Sequence, residues 1–354
     1  MKAMLILNPV AGQRDTAGEL RQVMAYLNAQ GWEVALRRTF GPGDATTYAR
    51  EAVAGGLDMV IAAGGDGTIG QVATGLAGSS CVLGVLPVGT GNVWAHMLGL
   101  PQWSAMGRTT LLDAARVLVE GEVHPIDLGR AGDRYFVLWA GIGFDAQIAQ
   151  GVEPHREIRR NLGNITYYVA VIALGLGLRG TRVTVEVDGK AMRQRVIMVL
   201  VSNAQLYGPA VRLAPQAQLD DGILDVYVFK GDNLFDALRV IISVVSGRHH
   251  HDAKVEAYRA RSVTIRGVKP LPVHLDGEPI GHTPVSISVA PRALKVIVPR
   301  WASGSLFQDG NVESVEDHSL TQRIGEMLRA QRERWQAEAE RLQRDWERII
   351  GRSE

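Results

Sequence analysis

Ten residues near the start of the chain restrict its fold more than any other stretch. They read Val60-Ile61-Ala62-Ala63-Gly64-Gly65-Asp66-Gly67-Thr68-Ile69. An apolar run stops at two glycines and a helical pattern follows Asp-Gly-Thr, so a buried strand feeds a tight turn with a helix behind it. Glycine lets such a turn take positive φ and approach a ligand closely, because no Cβ intervenes. The amides of the turn and of the helix start favour an anion, which makes phosphate the natural guest. A strand end that is purely structural uses Gly-Gly as well, and from this turn alone that reading stays open.

The flanking sequence is built the same way. Met4 to Leu7 form a short apolar strand closed by Asn8-Pro9-Val10-Ala11-Gly12, and residues 16–30 place Leu20, Val23, Met24 and Leu27 at helical spacing before Gly31. A second strand from Val34 ends near Thr39, and Gly43-Asp44 opens a helix to about Gly55. Beyond the glycine turn come a helix from about Ile69 to Leu76 and a strand from Val82 to Leu86. Then follow Pro87-Val88-Gly89-Thr90-Gly91-Asn92 and a helix from Leu111 to Val119. Strands alternating with helices predict an open, mostly parallel α/β domain over residues 1–125. Ligands of such sheets bind beyond the carboxyl ends of the strands. The turns at Asn8-Pro9, Thr39, Gly64-Gly65 and Gly89-Thr90 all fall there, which argues for one shared site.

From His124 the texture changes to short strand-like runs: 135–139, 182–187, 196–201, 224–229, 262–265, 285–289 and 294–298. Asp188-Gly189 suits a two-residue hairpin turn. These runs predict a β-sandwich over residues 126–300, with helices inserted near 158–178 and 233–247. Residues 301–354 read as a polar linker, 302–317, and a helical extension whose face carries Leu320, Ile324, Leu328, Trp335, Leu342, Trp346 and Ile349. That face suits docking on the protein, pairing into a homodimer, or lying on a membrane surface.

Composition serves mainly to exclude. A net charge of +1 gives no reason to expect nucleic acid as a partner. Cys81, the one cysteine, sits in an apolar strand and reads as a buried thiol. No signal-peptide pattern opens the sequence, and the apolar run from Ile165 to Leu178 is shorter than the roughly 18 residues of a spanning helix. The expectation is a cytoplasmic protein, at most peripheral to the inner face of the membrane. His249-His250-His251-Asp252 reads as an exposed polar loop, Asn164-Ile165-Thr166 as a sequon by pattern only, and Tyr167 to Leu178 as a packed helix or part of an acyl-chain pocket.

The full string Gly64-Gly65-Asp66-Gly67-Thr68 resembles the signature of the diacylglycerol-kinase-like lipid kinases, a superfamily that also contains the NAD kinases. Further motifs match the bacterial lipid kinases in order: Asn8-Pro9-x-Ala11-Gly12, Pro87-x-Gly89-Thr90-Gly91-Asn92, Asp127-Leu128-Gly129 and Ala140-Gly141-Ile142-Gly143-Phe144-Asp145. Asn203 with Tyr207-Gly208, Ala214-Pro215, Leu219-Asp220-Asp221-Gly222 and Leu275-Asp276-Gly277-Glu278-Pro279 complete the series. The resemblance implies an ATP- and Mg²⁺-dependent kinase acting on a diacylglycerol-like hydroxyl.

Carried over residue by residue, the nucleotide would meet Asn8, Pro9, Val10, Ala11, Gly12, Thr39, Gly65, Asp66, Gly67, Thr68, Ile69, Gly70, Gln71 and Thr90. Asp66 would be an acidic catalytic member, able to hold metal through water, and equally suits capping of the helix behind it. Mg²⁺ would be bound by the Asp221 side chain and the carbonyls of Gln218 and Ile223, with Asp127 in a water-mediated network around it. From spacing alone Asp221-Gly222 and Asp276-Gly277 are equally good turns. The family places its catalytic base at Glu278. Two positions depart from the pattern: Gly70-Gln71 stands where Asn-Glu is common, and Asn92-Val93 where Asn-Asp is frequent, so one carboxylate of the metal network is missing. The alternatives are an NAD kinase-like activity and a nucleotide- or lipid-binding regulator without turnover.

Overall fold

A computed structural model describes residues 1–12, 16–102, 110–144, 146, 180–208 and 211–308. Asp145, the expected helix near 158–178, the sequon and the helical extension lie outside these residues.

The first half alternates strand and helix as its periodicity predicts: β1 (Lys2–Leu7), α1 (Ala17–Ala29), β2 (Glu33–Arg38), α2 (Asp44–Ala54) and β3 (Met59–Gly64). Then come α3 (Asp66–Leu76), β4 (Val82–Pro87), α4 (Val93–Leu98) and α5 (Leu111–Glu120). The strands pair in parallel in the order β2-β1-β3-β4. All six residues of β3 are buried, which requires cover on both faces of the sheet. The helices supply it in two packed pairs, α1 with α5 and α2 with α3. In the second pair, Gly75 lies so close to α2 that a Cβ would stand 2.5 Å from that of Ala49. Cys81 is buried just ahead of β4.

The second half is antiparallel: β5 (Glu122–Ala131), β6 (Arg134–Phe136), β7 (Trp139–Gly143), β8 (Thr181–Val187), β9 (Lys190–Ser202), β10 (Leu206–Tyr207), β11 (Val211–Arg212) and β12 (Leu224–Lys230). After α6 (Leu234–Val245) follow β13 (Val255–Ala260), β14 (Ser262–Gly267), β15 (Pro272–Leu275), β16 (Glu278–His282) and β17 (Val285–Val298). Asp188 and Gly189 have φ of 43° and 84°, and Asp276 and Gly277 have 47° and 86°. Both pairs therefore form the left-handed two-residue turns that hairpins require.

The expected runs 285–289 and 294–298 are one strand, β17, with a bulge between Ala290 and Leu294. Its first part pairs with β14 and its last residues join β4 in parallel, through Lys295 with Val82 and Val296 with Leu83. One hydrogen-bonded sheet thus continues from the sandwich into the α/β half. Strands β13, β15 and β16 were not evident in sequence, because their polar residues interrupt the apolar runs.

Two further expectations are corrected. Residues 302–308 do not behave as a free linker: Leu306 and Phe307 are buried in the main core, and Leu219 donates its N–H to the Leu306 carbonyl at 2.8 Å. His249 is not in an exposed loop. It is 1% exposed in a short 3-10 turn, with Nε2 2.8 Å from the Leu213 carbonyl, because the ring packs beside Tyr227 under α6. Among the described residues no helix is long and apolar enough to cross a membrane.

Candidate active site

Three of the four strand-end turns meet at the carboxyl edge of the parallel sheet. Asn8 donates from Nδ2 to the Thr68 hydroxyl at 3.0 Å and accepts the Val10 N–H on its own Oδ1, so the first turn is tied to the start of α3. Gly12 has φ of 77°, and a Cβ there would stand 2.1 Å from the Val88 carbonyl. A Cβ on Gly89 would stand 2.5 Å from the Gly65 Cα. These contacts admit only glycine, and they press the first and third turns against the central one. Thr90 is exposed at the lip of the third turn. Thr39 ends the outer strand and bonds back to Leu7. The Ile69 side chain is buried in the core, so only its backbone faces the turn.

Asp66 behaves differently from the sequence expectation. Gly65, rather than Asp66, is the N-cap of α3. The Asp66 carboxylate reaches across to α4 and accepts the N–H of Val93 on one oxygen and that of Trp94 on the other, both at 3.0 Å. It therefore caps the next helix and not its own. Burial raises its pKa, opposed by those two N–H donors. Beside it, Asn92 donates to the Gly89 carbonyl while its buried Oδ1 has no hydrogen-bond partner among the described residues.

The β15–β16 hairpin brings the second half of the chain over this edge. Glu278 Oε1 stands 3.2 Å from where a Cβ on Gly67 would be, and Asp276 Oδ2 stands 2.9 Å from the equivalent point on Gly70. Gln71 Nε2 donates to Glu278 Oε1 at 2.5 Å across 207 sequence positions, and Arg134 Nη2 donates to Oε2 at 3.0 Å. A small cavity of about 20 Å³ opens here, lined by Gly67, Gly70, Gln71, Arg134, Asp276 and Glu278 among others.

Asp276 proves to be more than a turn residue. Its buried carboxylate accepts the N–H of Val137 at 2.8 Å and those of Leu138 and Trp139 at 3.0 Å, which staples the β6–β7 connection to the hairpin. Burial pushes its pKa up to about 7 against those three donors. Arg134 and the stapling role of Asp276 were not read from sequence. A turn signature had already accounted for Asp276, and nothing local distinguishes Arg134 from other surface arginines.

The loop carrying Gln218, Asp221 and Ile223 connects to the same hairpin. Asp127, fully buried, accepts the Gly222 N–H at 2.6 Å and the Arg292 N–H at 2.7 Å, a direct tie to the loop. Asn203 Nδ2 donates to the carbonyls of Asp127 and Val137. Val137 in turn donates to Asp276, so hydrogen bonds run from the loop to the residue two before Glu278. Asp221 accepts the Ile223 N–H at 3.0 Å and is paired with the Arg259 guanidinium. Gln218 uses its side-chain amide on the Phe307 carbonyl. Burial raises the pKa of Asp127 and Asp221, and pushes Asp225, beside Arg259, up to about 6.

This donor set is all oxygen and suits a hard cation held by one carboxylate and main-chain carbonyls. Arg259 already neutralises Asp221, so a metal there competes with the guanidinium. Among the described residues no three His, Cys, Asp or Glu side chains converge on one point.

Comparison with known proteins follows the same division of the chain. Residues 2–131 match the diacylglycerol kinase catalytic domain, and residues 139–298 match the YegS C-terminal NAD kinase beta sandwich-like domain. The diacylglycerol kinase of Bacillus subtilis (strain 168) is 33% identical over 301 residues, covering 84% of this chain and 97% of its own length. That of Staphylococcus carnosus (strain TM300) is 27% identical over 301 residues, covering 84% and 95%. A crystal structure of a diacylglycerol kinase from Bacillus anthracis has the same fold, with a TM-score of 0.63 at 24% identity over 84% of this chain and 96% of that one.

Proposed function

We propose that this chain, which belongs to the diacylglycerol kinase family and is a lipid kinase, transfers the terminal phosphoryl group of ATP to the hydroxyl of a diacylglycerol-like lipid. One observation carries the reading. Glu278 Oε1 lies 3.2 Å from the point where a side chain on Gly67 would begin, so a proton acceptor stands directly over the glycine turn. Residues 1–125 supply the nucleotide cradle, from Asn8 to Gly12, Gly65 to Gln71 and Thr90. Residues 126–300 supply the base, the lipid-facing surface and the metal loop, and the lipid is reached by peripheral contact with a membrane.

The close turns at Gly12, Gly65 and Gly89 let backbone amides meet phosphate oxygens without a side chain between them. The lipid hydroxyl then lies between Glu278 and the terminal phosphorus. Its oxygen forms the new bond to phosphorus, the bond from phosphorus to the bridging oxygen breaks, and ADP leaves with that electron pair. The hydroxyl proton passes to the Glu278 carboxylate as the loose transition state develops. Mg²⁺, held by Asp221 with the carbonyls of Gln218 and Ile223, would supply positive charge that offsets the negative loop. Asp127, Asn203 and Asp276 keep that loop and the hairpin in register through direct hydrogen bonds.

Glu278→Gln tests the reading, because it keeps shape and hydrogen-bonding capacity but removes the proton acceptor. ATP affinity stays near wild type by calorimetry, and phosphate transfer to dispersed diacylglycerol slows by about 10²–10⁴-fold. Equal rates in variant and wild type would remove Glu278 as the base.

A further inference from the structure

Building on that reading of Glu278, we propose that Arg134 and Gln71 are positioning residues: together they hold the base ionised and aimed into the cleft, and the neutral side chain at position 71 sets the acid limit of its working range. Each carboxylate oxygen has its own donor, Arg134 on Oε2 at 3.0 Å and Gln71 on Oε1 at 2.5 Å. A carboxylate oxygen has two acceptor positions, so Oε1 can take the lipid proton while the amide stays bound.

Both donors are themselves fixed. Arg134 Nη1 also reaches the Pro279 carbonyl at 3.4 Å, so the guanidinium spans the base and the residue after it. Gln71 Oε1 accepts the Gly43 N–H at 3.2 Å, and its main-chain carbonyl accepts the Thr46 hydroxyl at 2.8 Å. The first of these bonds decides which end of the amide faces Glu278. Gln71 therefore joins the start of α2, the glycine-turn helix α3 and the catalytic hairpin through one side chain.

The electrostatics follow from what lines the cavity. Among the described residues its titratable members are Arg134 and Tyr135 from β6, with Asp276 and Glu278 from the hairpin; α2 and α3 contribute the uncharged Thr46, Gly67, Gly70, Gln71 and Thr74. Asp66 stands next to Gly67, with its own charge directed to the α4 amides. Arg134 favours the ionised base, and a neutral donor at 71 does so without adding charge. A glutamate at 71 would set a second carboxylate within hydrogen-bond distance of the first, and two such groups share a proton. The Arg134 and Glu278 side chains are 40% and 32% exposed, so solvent screening keeps the expected shifts near the lower end of the usual range.

The test is the pH dependence of kcat/KM on dispersed diacylglycerol for wild type, Arg134→Gln, Arg134→Lys, Gln71→Glu and Glu278→Gln, with ATP affinity and Tm measured for each. Arg134→Gln and Gln71→Glu move the acid limb up by about 1 pH unit, and Arg134→Gln does so at unchanged ATP affinity. Arg134→Lys returns the limb toward wild type, because the charge is restored, and kcat stays lowered, because the two-point grip is not. Acid limbs that superimpose on wild type, with Glu278→Gln still slowed as expected, would overturn this proposal and leave the assignment of the base intact. A fall in Tm without a limb shift would also overturn it, as a purely structural role. Wild-type rates in Glu278→Gln would instead remove the base itself.

Discussion

Asp276→Asn separates the charge of the buried staple from its shape. In the folded protein burial pushes the Asp276 carboxyl up to about 7, whereas an unfolded chain ionises it near about 3.9. Between those values the unfolded chain gives up a proton that the folded chain keeps. Stability from this group is therefore fully present below about pH 4 and is lost as the pH rises through about 7, with a slope of about 1.4 kcal/mol per pH unit. Across the window that amounts to roughly 4 kcal/mol. An amide does not titrate, so the variant lacks the slope.

The amide keeps one acceptor oxygen for three backbone donors and turns an NH₂ toward at least one of them. Leaving one buried donor unpaired costs about 1–3 kcal/mol at every pH. The variant is thus less stable than wild type at about pH 4, and the two stability curves cross between about pH 4.6 and 6.1. Urea unfolding followed by tryptophan fluorescence, run in parallel from pH 4.5 to 8, measures the difference while other acids cancel. A difference that stays constant with pH would refute the reasoning. It would mean that the three amides outweigh burial and Asp276 is ionised throughout.

The glycine turns and the loop at Asp221 give two more expectations. Gly12→Ala places a side chain at φ of 77° and 2.1 Å from the Val88 carbonyl, so the third turn must shift; ATP affinity falls at least tenfold by calorimetry, and unchanged affinity would detach this turn from the nucleotide site. Asp221→Asn raises the Mg²⁺ concentration needed for half-maximal activity and Arg259→Ala lowers it, since the first removes a ligand and the second a competing cation; unmoved titrations in both would put the ion elsewhere.

Much of this protein is written locally. Past the exposed Lys2, β1, β3 and β4 are buried almost throughout because they carry no polar side chain, and parallel strands between helices need that. Asp188-Gly189 dictates its hairpin because only such pairs accept two successive left-handed residues cheaply. The strand-end glycines announced a shared site, since each stops a strand on the same edge. What sequence could not supply is whatever depends on partners far along the chain. The ends of β17 belong to different halves of the protein because one pairs with β14 and the other with β4, and strand period carries no record of its partner. Asp66 reads as a cap for its own helix, and only the approach of the third turn hands its carboxylate to α4. His249 looks like one of three exposed histidines until α6 and Tyr227 close over it. Gln71, Arg134 and Glu278 are ordinary polar residues in sequence; they become a clamped carboxylate because packing of the hairpin over α3 brings donors and acceptor within hydrogen-bond reach, and that packing is a property of the whole core.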